Sequence, residues 1–290
     1  MTIRDQLSLV VGADGGIGQA LCVALRKDGR YVAGTSRRDG SPEMLYLDLA
    51  GDLGVFAAPA GVGQAFLCAA VTATAQCRMD PAGTACVNVD GTVRLAEQLV
   101  RAGVFVVFPS TNMVFDGALP RRAADDARCP LAEYGRQKAR AEELLLALGG
   151  QVAVVRLTKV LAPGVTLFSG WAEQLQAGRI IRPFSDMPMA PVPLDFVVGA
   201  LLAIAASRKG GLWQISASRD VSYAEAALRL AARLGADLGL VRPVSWREAA
   251  PDMEHVPAHT SLDASLLEKE LGLAAPDPLA SLDQAYGAYE

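Results

Sequence analysis

The segment Leu7-Ser8-Leu9-Val10-Val11-Gly12-Ala13-Asp14-Gly15-Gly16-Ile17-Gly18 constrains the rest of the chain most tightly. A short apolar run suited to a buried strand enters a glycine loop, and the loop enters a helical pattern from about Gly16 to Lys27 that stops at Asp28-Gly29. Between a strand and a helix at the head of a βαβ unit, such a loop is the phosphate turn of a dinucleotide-binding fold. The glycines have separable tasks. Gly12 permits the tight turn, Gly15 lets backbone N–H groups approach a pyrophosphate at the positive helix end, and Gly18 lets helix and sheet pack closely.

Further strand patterns fall at Leu7–Val11, Tyr31–Gly34, Met44–Leu47, Ala65–Cys68, Val104–Phe108 and Val152–Arg156. Helical patterns run from about Val87 to Arg101, stopping at Gly103, and from Pro130 to Gly149-Gly150. This alternation predicts an α/β chain, a Rossmann doubly wound parallel sheet, with a small C-terminal substrate lobe. The Rossmann core is expected over 1–156 and the lobe over 157–290, interleaved with the last Rossmann elements at about 195–217. Pro163, Pro183, Pro188, Pro191 and Pro193 make 157–193 read as irregular, with loops over the strand ends. Beyond it, a helix is expected at Asp195–Ser207, a strand at Leu212–Ile215, and helices near Tyr223–Leu234 and Ser261–Leu271.

Apolar residues make up 51% of the 290 and charged residues 20%, enough for a well-buried core. A net charge of −4 with scattered cations argues against a nucleic-acid partner. No apolar run reaches the ~18 residues of a membrane span. The start has no signal-peptide architecture, and Cys22, Cys68, Cys77, Cys86 and Cys129 form no CxxC pair, as expected for reduced thiols in a cytoplasmic protein. His255 and His259 stand in a late loop-like stretch and read as structural or surface residues, so no metal site is expected.

The second strand ends in Thr35-Ser36-Arg37-Arg38. A strict NAD enzyme usually carries a carboxylate there for the ribose 2′-hydroxyl. Two arginines suit a 2′-phosphate instead, so NADP is the expected cofactor, with NAD possible; Asp39 stands too far along for the usual ribose carboxylate but can still cap the ribose. Tyr134 and Lys138, four apart on one helix, share a face. A phenol is a poor acid–base group at neutral pH, and a nearby ammonium favours its phenolate. The third member is a hydroxyl at the end of the fifth strand, where Ser110 and Thr111 both qualify.

These residues resemble an extended short-chain dehydrogenase/reductase, and within that superfamily the dTDP-4-dehydrorhamnose reductases. Ser110-Thr111-Asn112-Met113-Val114-Phe115-Asp116-Gly117 is similar to their STDYVFDG segment, and Tyr134-Gly135-x-x-Lys138 is a superfamily feature. Cys68-Ala69-Ala70-Val71-Thr72, Val87 to Thr92, Asp186 to Asp195 and His259 to Asp263 resemble further stretches of the same family. The resemblance implies Thr111, Tyr134 and Lys138 as the catalytic set, with Thr111 polarising a carbonyl, Tyr134 donating a proton, and Lys138 anchoring the ribose while depressing the Tyr134 pKa. It implies a cofactor site of Gly12, Asp14, Gly15, Gly16, Ile17, Gly18, Ser36, Arg37, Arg38, Asp48, Leu49, Cys68, Ala69, Ala70 and Thr72 together with Tyr134 and Lys138. Thr111, Asn112 and Tyr134 would meet the substrate. The chain departs from the family at Asn112, which replaces an aspartate, at Val71, which replaces an aromatic, and at Met187-Pro188-Met189, which lacks a Gln-x-Gly.

The expected activity is reduction of a carbonyl on a nucleotide-activated or related sugar, with a sugar nucleotide as small-molecule partner. The alternatives are an epimerase or dehydratase of the superfamily, a reductase of a non-sugar carbonyl, and a non-catalytic regulatory subunit similar to that of methionine adenosyltransferase. A homodimer through the helices near 87–101 and 130–148 is a further implication of the resemblance.

Overall fold

Buried apolar runs become parallel strands because both faces are covered, and amphipathic runs between them become the covering helices. The structure, a computed structural model, describes residues 7–38, 43–162, 164–250 and 255–289. In chain order these fold into β1 (Leu7–Val11), α1 (Gly16–Lys27), β2 (Val32–Ser36), β3 (Met44–Tyr46), β4 (Val62–Leu67), α2 (Thr74–Met79), α3 (Pro81–Ala85), α4 (Thr92–Arg101), β5 (Phe105–Thr111), α5 (Glu133–Leu146) and β6 (Val152–Leu157). There follow β7 (Lys159–Leu161), α6 (Thr166–Gln176), β8 (Pro188–Met189), β9 (Pro191–Pro193), α7 (Leu194–Ser207), β10 (Gly211–Ile215), β11 (Val221–Ser222), α8 (Tyr223–Arg233), α9 (Trp246–Ala249), α10 (Ser265–Leu271) and α11 (Pro278–Tyr286).

Two compact units divide the chain. The first is drawn from Met1–Phe115, Ala127–Arg156 and Val198–Trp213, as far as these are described. It is built on a seven-stranded sheet of order β10-β6-β5-β4-β1-β2-β3. β1 pairs in parallel with β2 on one side and β4 on the other, with Val10 opposite Gly34 and Phe66. The strand order therefore reverses between β1 and β4, the point at which open α/β sheets bind their ligands. Leu9, Val11, Ala65, Leu67, Val106 and Phe108 form the centre of its core.

The second unit is drawn from Asp116–Asp126, Leu157–Val197 and Gln214–Glu290. It pairs β7 with β9 in parallel and β8 with β11 antiparallel. Its core gathers Phe168, Trp171 and Leu175 of α6 with Leu230 of α8 and Tyr286 of α11. Phe168 and Tyr286 meet edge to face at 5.3 Å, and the Tyr286 hydroxyl donates to the Ala226 carbonyl at 2.8 Å.

Several elements differ from the sequence reading. The irregular stretch 157–193 contains α6, whose buried Phe168, Trp171, Ala172 and Leu175 repeat at helical spacing. The helix expected from Pro130 starts at Glu133, because Ala132 stays extended and acts as its N-cap. The helix expected from Val87 has two parts, a π-helical turn over Cys86–Gly91 and then α4. The last expected helix begins at Ser265, because Ser261 is held by Asp220. Among the described residues, no helix is long and apolar enough to cross a membrane.

Candidate active site

At the β1/β4 reversal, Gly12 turns the chain with a left-handed φ of 78°. A side chain there would place its first carbon 2.7 Å from the Ala69 backbone nitrogen, so glycine is required twice over. At Gly18 a side chain would run into the Gly12 carbonyl, which lets α1 start directly on the loop. The N-cap of α1, Gly15, makes no side-chain cap, and the first turn carries no acidic residue. Its backbone N–H groups and positive dipole end are therefore capped by no side chain of the helix itself, the condition for holding a phosphate.

The groove has a volume of about 330 Å³. Of the expected cofactor residues, Gly12, Asp14, Gly15, Arg37, Arg38, Asp48, Leu49, Cys68, Ala69, Ala70 and Thr72 line it. Gly16, Ile17 and Gly18 belong to the first turn of α1. Leu47, Val71, Ala73, Gln76 and Val87 also line the groove and were not expected there. Val71 and Val87 lay within family-like segments; for Gln76 the sequence offered no signal.

Asp14 ties the loop to the end of β2. The Ser36 hydroxyl donates to its Oδ2 at 3.0 Å and accepts from the Arg38 backbone N–H, while Arg38 Nε lies 3.5 Å from Oδ2. Arg37 and Arg38 stand beside the glycine loop, as a 2′-phosphate site needs. Asp39 lies outside the described residues.

On the other side of the sheet centre, α5 carries Tyr134 and Lys138 to the end of β5. Lys138 is buried, its Nζ donates to the Pro109 carbonyl at 2.6 Å, and it lies 3.7 Å from the Phe108 ring centroid. Gly135 lets α5 approach closely, since a side chain there would collide with the Met113 carbonyl. Thr111 ends β5 and caps the short turn Asn112–Val114, its Oγ1 accepting from Met113 N–H at 3.2 Å. Its hydroxyl in turn donates to Asn112 Oδ1 in a long contact of 3.5 Å. Ser110 differs: its hydroxyl donates to Glu142 Oε1 at 2.6 Å. Of the two hydroxyls the sequence left open, Ser110 is thus committed inside the protein. Asn112 is half-buried and follows Thr111 directly.

The electrostatics correct one expectation. Burial, with a smaller contribution from Cys77, pushes the Tyr134 phenol up to about 12 instead of down. Burial also lowers Lys138 to about 7, against the opposing pull of Glu142 and Cys68. Desolvation dominates because both groups sit out of water, which disfavours the phenolate of one and the ammonium of the other.

A second element positions the groove. Asn88, on the π-helical turn, accepts from Val71 N–H at 2.8 Å and donates to the Val71 carbonyl at 2.9 Å. It also donates to Gln137 Oε1 at 2.8 Å, which links the post-β4 loop to α5 between Tyr134 and Lys138. The extra residue of a π-turn re-aims a side chain, and such turns collect at functional sites.

His255 meets the Asp116 carbonyl and His259 meets Asp220. Among the described residues, no group of three or more His, Cys, Asp or Glu side chains is placed to hold a metal ion.

Residues 7–289 match the RmlD substrate binding domain family. The chain is 30% identical over 220 residues to a dTDP-4-dehydrorhamnose reductase of Mycobacterium tuberculosis, covering 73% of this chain and 71% of that one. The structure of MoeE5 in complex with UDP-glucose and NAD aligns over 97% of both chains with a TM-score of 0.76 and 25% identity. A dTDP-4-dehydrorhamnose reductase from Bacillus anthracis, in complex with NADP, aligns with a TM-score of 0.83 and 17% identity over 97% of this chain and 99% of that one.

Proposed function

Since the chain belongs to the RmlD substrate binding domain family, we propose that it is an NADP-preferring reductase of a carbonyl on a nucleotide-activated sugar. The observation that carries this reading is the bond from Lys138 Nζ to the Pro109 carbonyl, which seats the Tyr134 helix against the strand that ends in Thr111. A bound nicotinamide supplies the hydride.

The chain's own residues do the rest. Thr111 hydrogen-bonds the carbonyl oxygen through its hydroxyl and holds it. Tyr134 gives its phenolic proton to that oxygen as negative charge develops on it, a service worth roughly 10²–10⁴ in rate. Lys138 would donate to the ribose of the dinucleotide, and its positive charge stabilises the phenolate that Tyr134 becomes as its proton leaves. The first turn of α1 binds the pyrophosphate, and Arg37 with Arg38 binds the 2′-phosphate. The first unit is the NADP-binding unit.

The reading is tested by incubating the protein with NADPH and dTDP-4-dehydrorhamnose, with UDP-linked 4-keto sugars in parallel, and following loss of NADPH. Stoichiometric oxidation with reduced sugar as product is the expected result. A sugar that is epimerised with no net NADPH consumption overturns the reductase reading in favour of an epimerase.

A further inference from the structure

Among the described residues of the first unit, Glu142 and Arg156 are the most deeply buried charged side chains, and they lie behind the proposed catalytic residues. Glu142 sits one helical turn beyond Lys138 and two beyond Tyr134 on α5, and its side chain is fully buried. The Ser110 hydroxyl donates to its Oε1 at 2.6 Å. Arg156, at the end of β6 and also buried, donates from Nε to Oε1 at 3.0 Å and from Nη2 to Oε2 at 2.8 Å. Arg128 adds a third cationic contact, Nη1 to Oε2 at 3.5 Å. The Arg156 guanidinium also lies over the Phe115 ring at 4.8 Å.

These contacts bracket Thr111 in sequence. Pro109 is held by Lys138, Ser110 by Glu142, and Phe115, just past the Asn112–Val114 turn, by Arg156. Pinning the chain on both sides fixes where the Thr111 hydroxyl stands relative to Tyr134. A buried carboxylate with one bidentate arginine is stable only as a complete set, because removing one partner strands a charge out of water.

We propose that Glu142 is a positioning residue of the active site, holding Thr111 in place through Ser110 and standing as the buried counter-charge one helical turn from Lys138. The proposal rests on the reductase reading for the roles of Thr111 and Lys138. Lys138 is surrounded by Glu142 on its own helix, Cys68 from the end of β4, and the Phe108 ring and Pro109 carbonyl of β5. Cys68 is pushed up to about 12 by burial and stays neutral, so it offers no counter-charge near neutral pH. Glu142 is the carboxylate that does.

The test reads NADPH affinity, by the fluorescence of the bound nucleotide, from pH 5.5 to 9 in the wild type and in Glu142→Gln, Glu142→Asp and the double variant Glu142→Gln/Arg156→Met. Lys138→Met identifies the part of the profile that belongs to the lysine. In the wild type, affinity falls as rising pH strips Lys138 of its proton. In Glu142→Gln the same fall begins at least about half a pH unit lower, and Glu142→Asp, which keeps the charge, restores it. The double variant regains thermal stability, because no buried charge is stranded, yet keeps the displaced fall. A Glu142→Gln or double-variant profile that overlays the wild type overturns the proposal and leaves Glu142 a purely structural anchor. Since nucleotide binding is read without sugar, a wild type that binds NADPH but reduces no sugar counts against the proposed function alone.

Discussion

Gly135 presses its α-carbon against the carbonyl of Met113, so closely that no side chain fits between them. The glycine after Tyr134 thereby sets how near α5 comes to the turn that follows Thr111. Gly135→Ala must push the two apart. Overpacking of this kind costs typically 1–3 kcal/mol. Thermal unfolding should show that loss, and turnover of a keto sugar should fall more than NADPH affinity, since the groove residues are elsewhere. Unchanged turnover would mean that the contact does not govern the Thr111–Tyr134 spacing.

Arg37 and Arg38 carry the expected preference for NADP. Changing both to alanine should weaken NADPH by roughly 1.5–3 kcal/mol, about ten- to a hundredfold, and leave NADH almost unaffected. Titration of both cofactors by fluorescence decides it. An equal loss for the two would place the arginines outside the 2′-phosphate site.

Tyr134→Phe keeps the buried ring and removes the acid. Turnover should drop by roughly 10²–10⁴ while NADPH affinity stays within a few-fold. Lys138→Ala should lose both, because it serves ribose and tyrosine together. Steady-state rates with an identified sugar nucleotide, alongside equilibrium binding, separate the two patterns. Near-normal reduction by Tyr134→Phe would remove it from the proton-donor role.

Burial of Lys138 also has a stability consequence with a definite sign. The lysine falls from an ordinary 10.5 to about 7 on folding. Between those values the unfolded chain binds the more protons, so the stability of the folded state rises with pH across that window, and below about 7 the cost is complete. Lys138→Met abolishes this dependence. Its stability relative to wild type should therefore grow as pH is lowered from about 10 to about 7, then level off. Denaturant unfolding at several pH values checks it; a constant difference would contradict the burial of a titrating lysine.

What the sequence made legible was local. The glycine loop, the Tyr-Gly-x-x-Lys spacing and β1 with α1 each lie within one short continuous stretch of chain, and the structure sets β1 and α1 at the expected bounds. The second unit was harder. Four prolines after residue 180 dominated the reading of 157–193, although Phe168, Trp171, Ala172 and Leu175 already traced one face of a helix. The start of α11 is also marked locally, by Asp277 as cap and Pro278 in the first turn. The Ser110–Glu142–Arg156 cluster and the hold of Asn88 on Val71 were not legible at all. Their members are 32, 14 and 17 residues apart, and only the crossing of β5, β6 and α5, or of β4 and the π-turn, brings them together. The upward displacement of Tyr134 belongs to the same class, since burial is a property of the assembled unit.

The first unit is assembled from three separate stretches of chain, the last ending at Trp213. During synthesis, a ribosome that has released everything up to β6 has not yet delivered β10, the strand that completes the sheet at that edge. The nascent chain therefore exposes an open parallel edge beside β6 until residues 157–213 have emerged, a species prone to pairing with other chains. Slow translation anywhere in that interval prolongs the exposure, and a chain terminated near Arg156 would carry the whole glycine loop, Thr111, Tyr134 and Lys138 and still be unable to close its sheet.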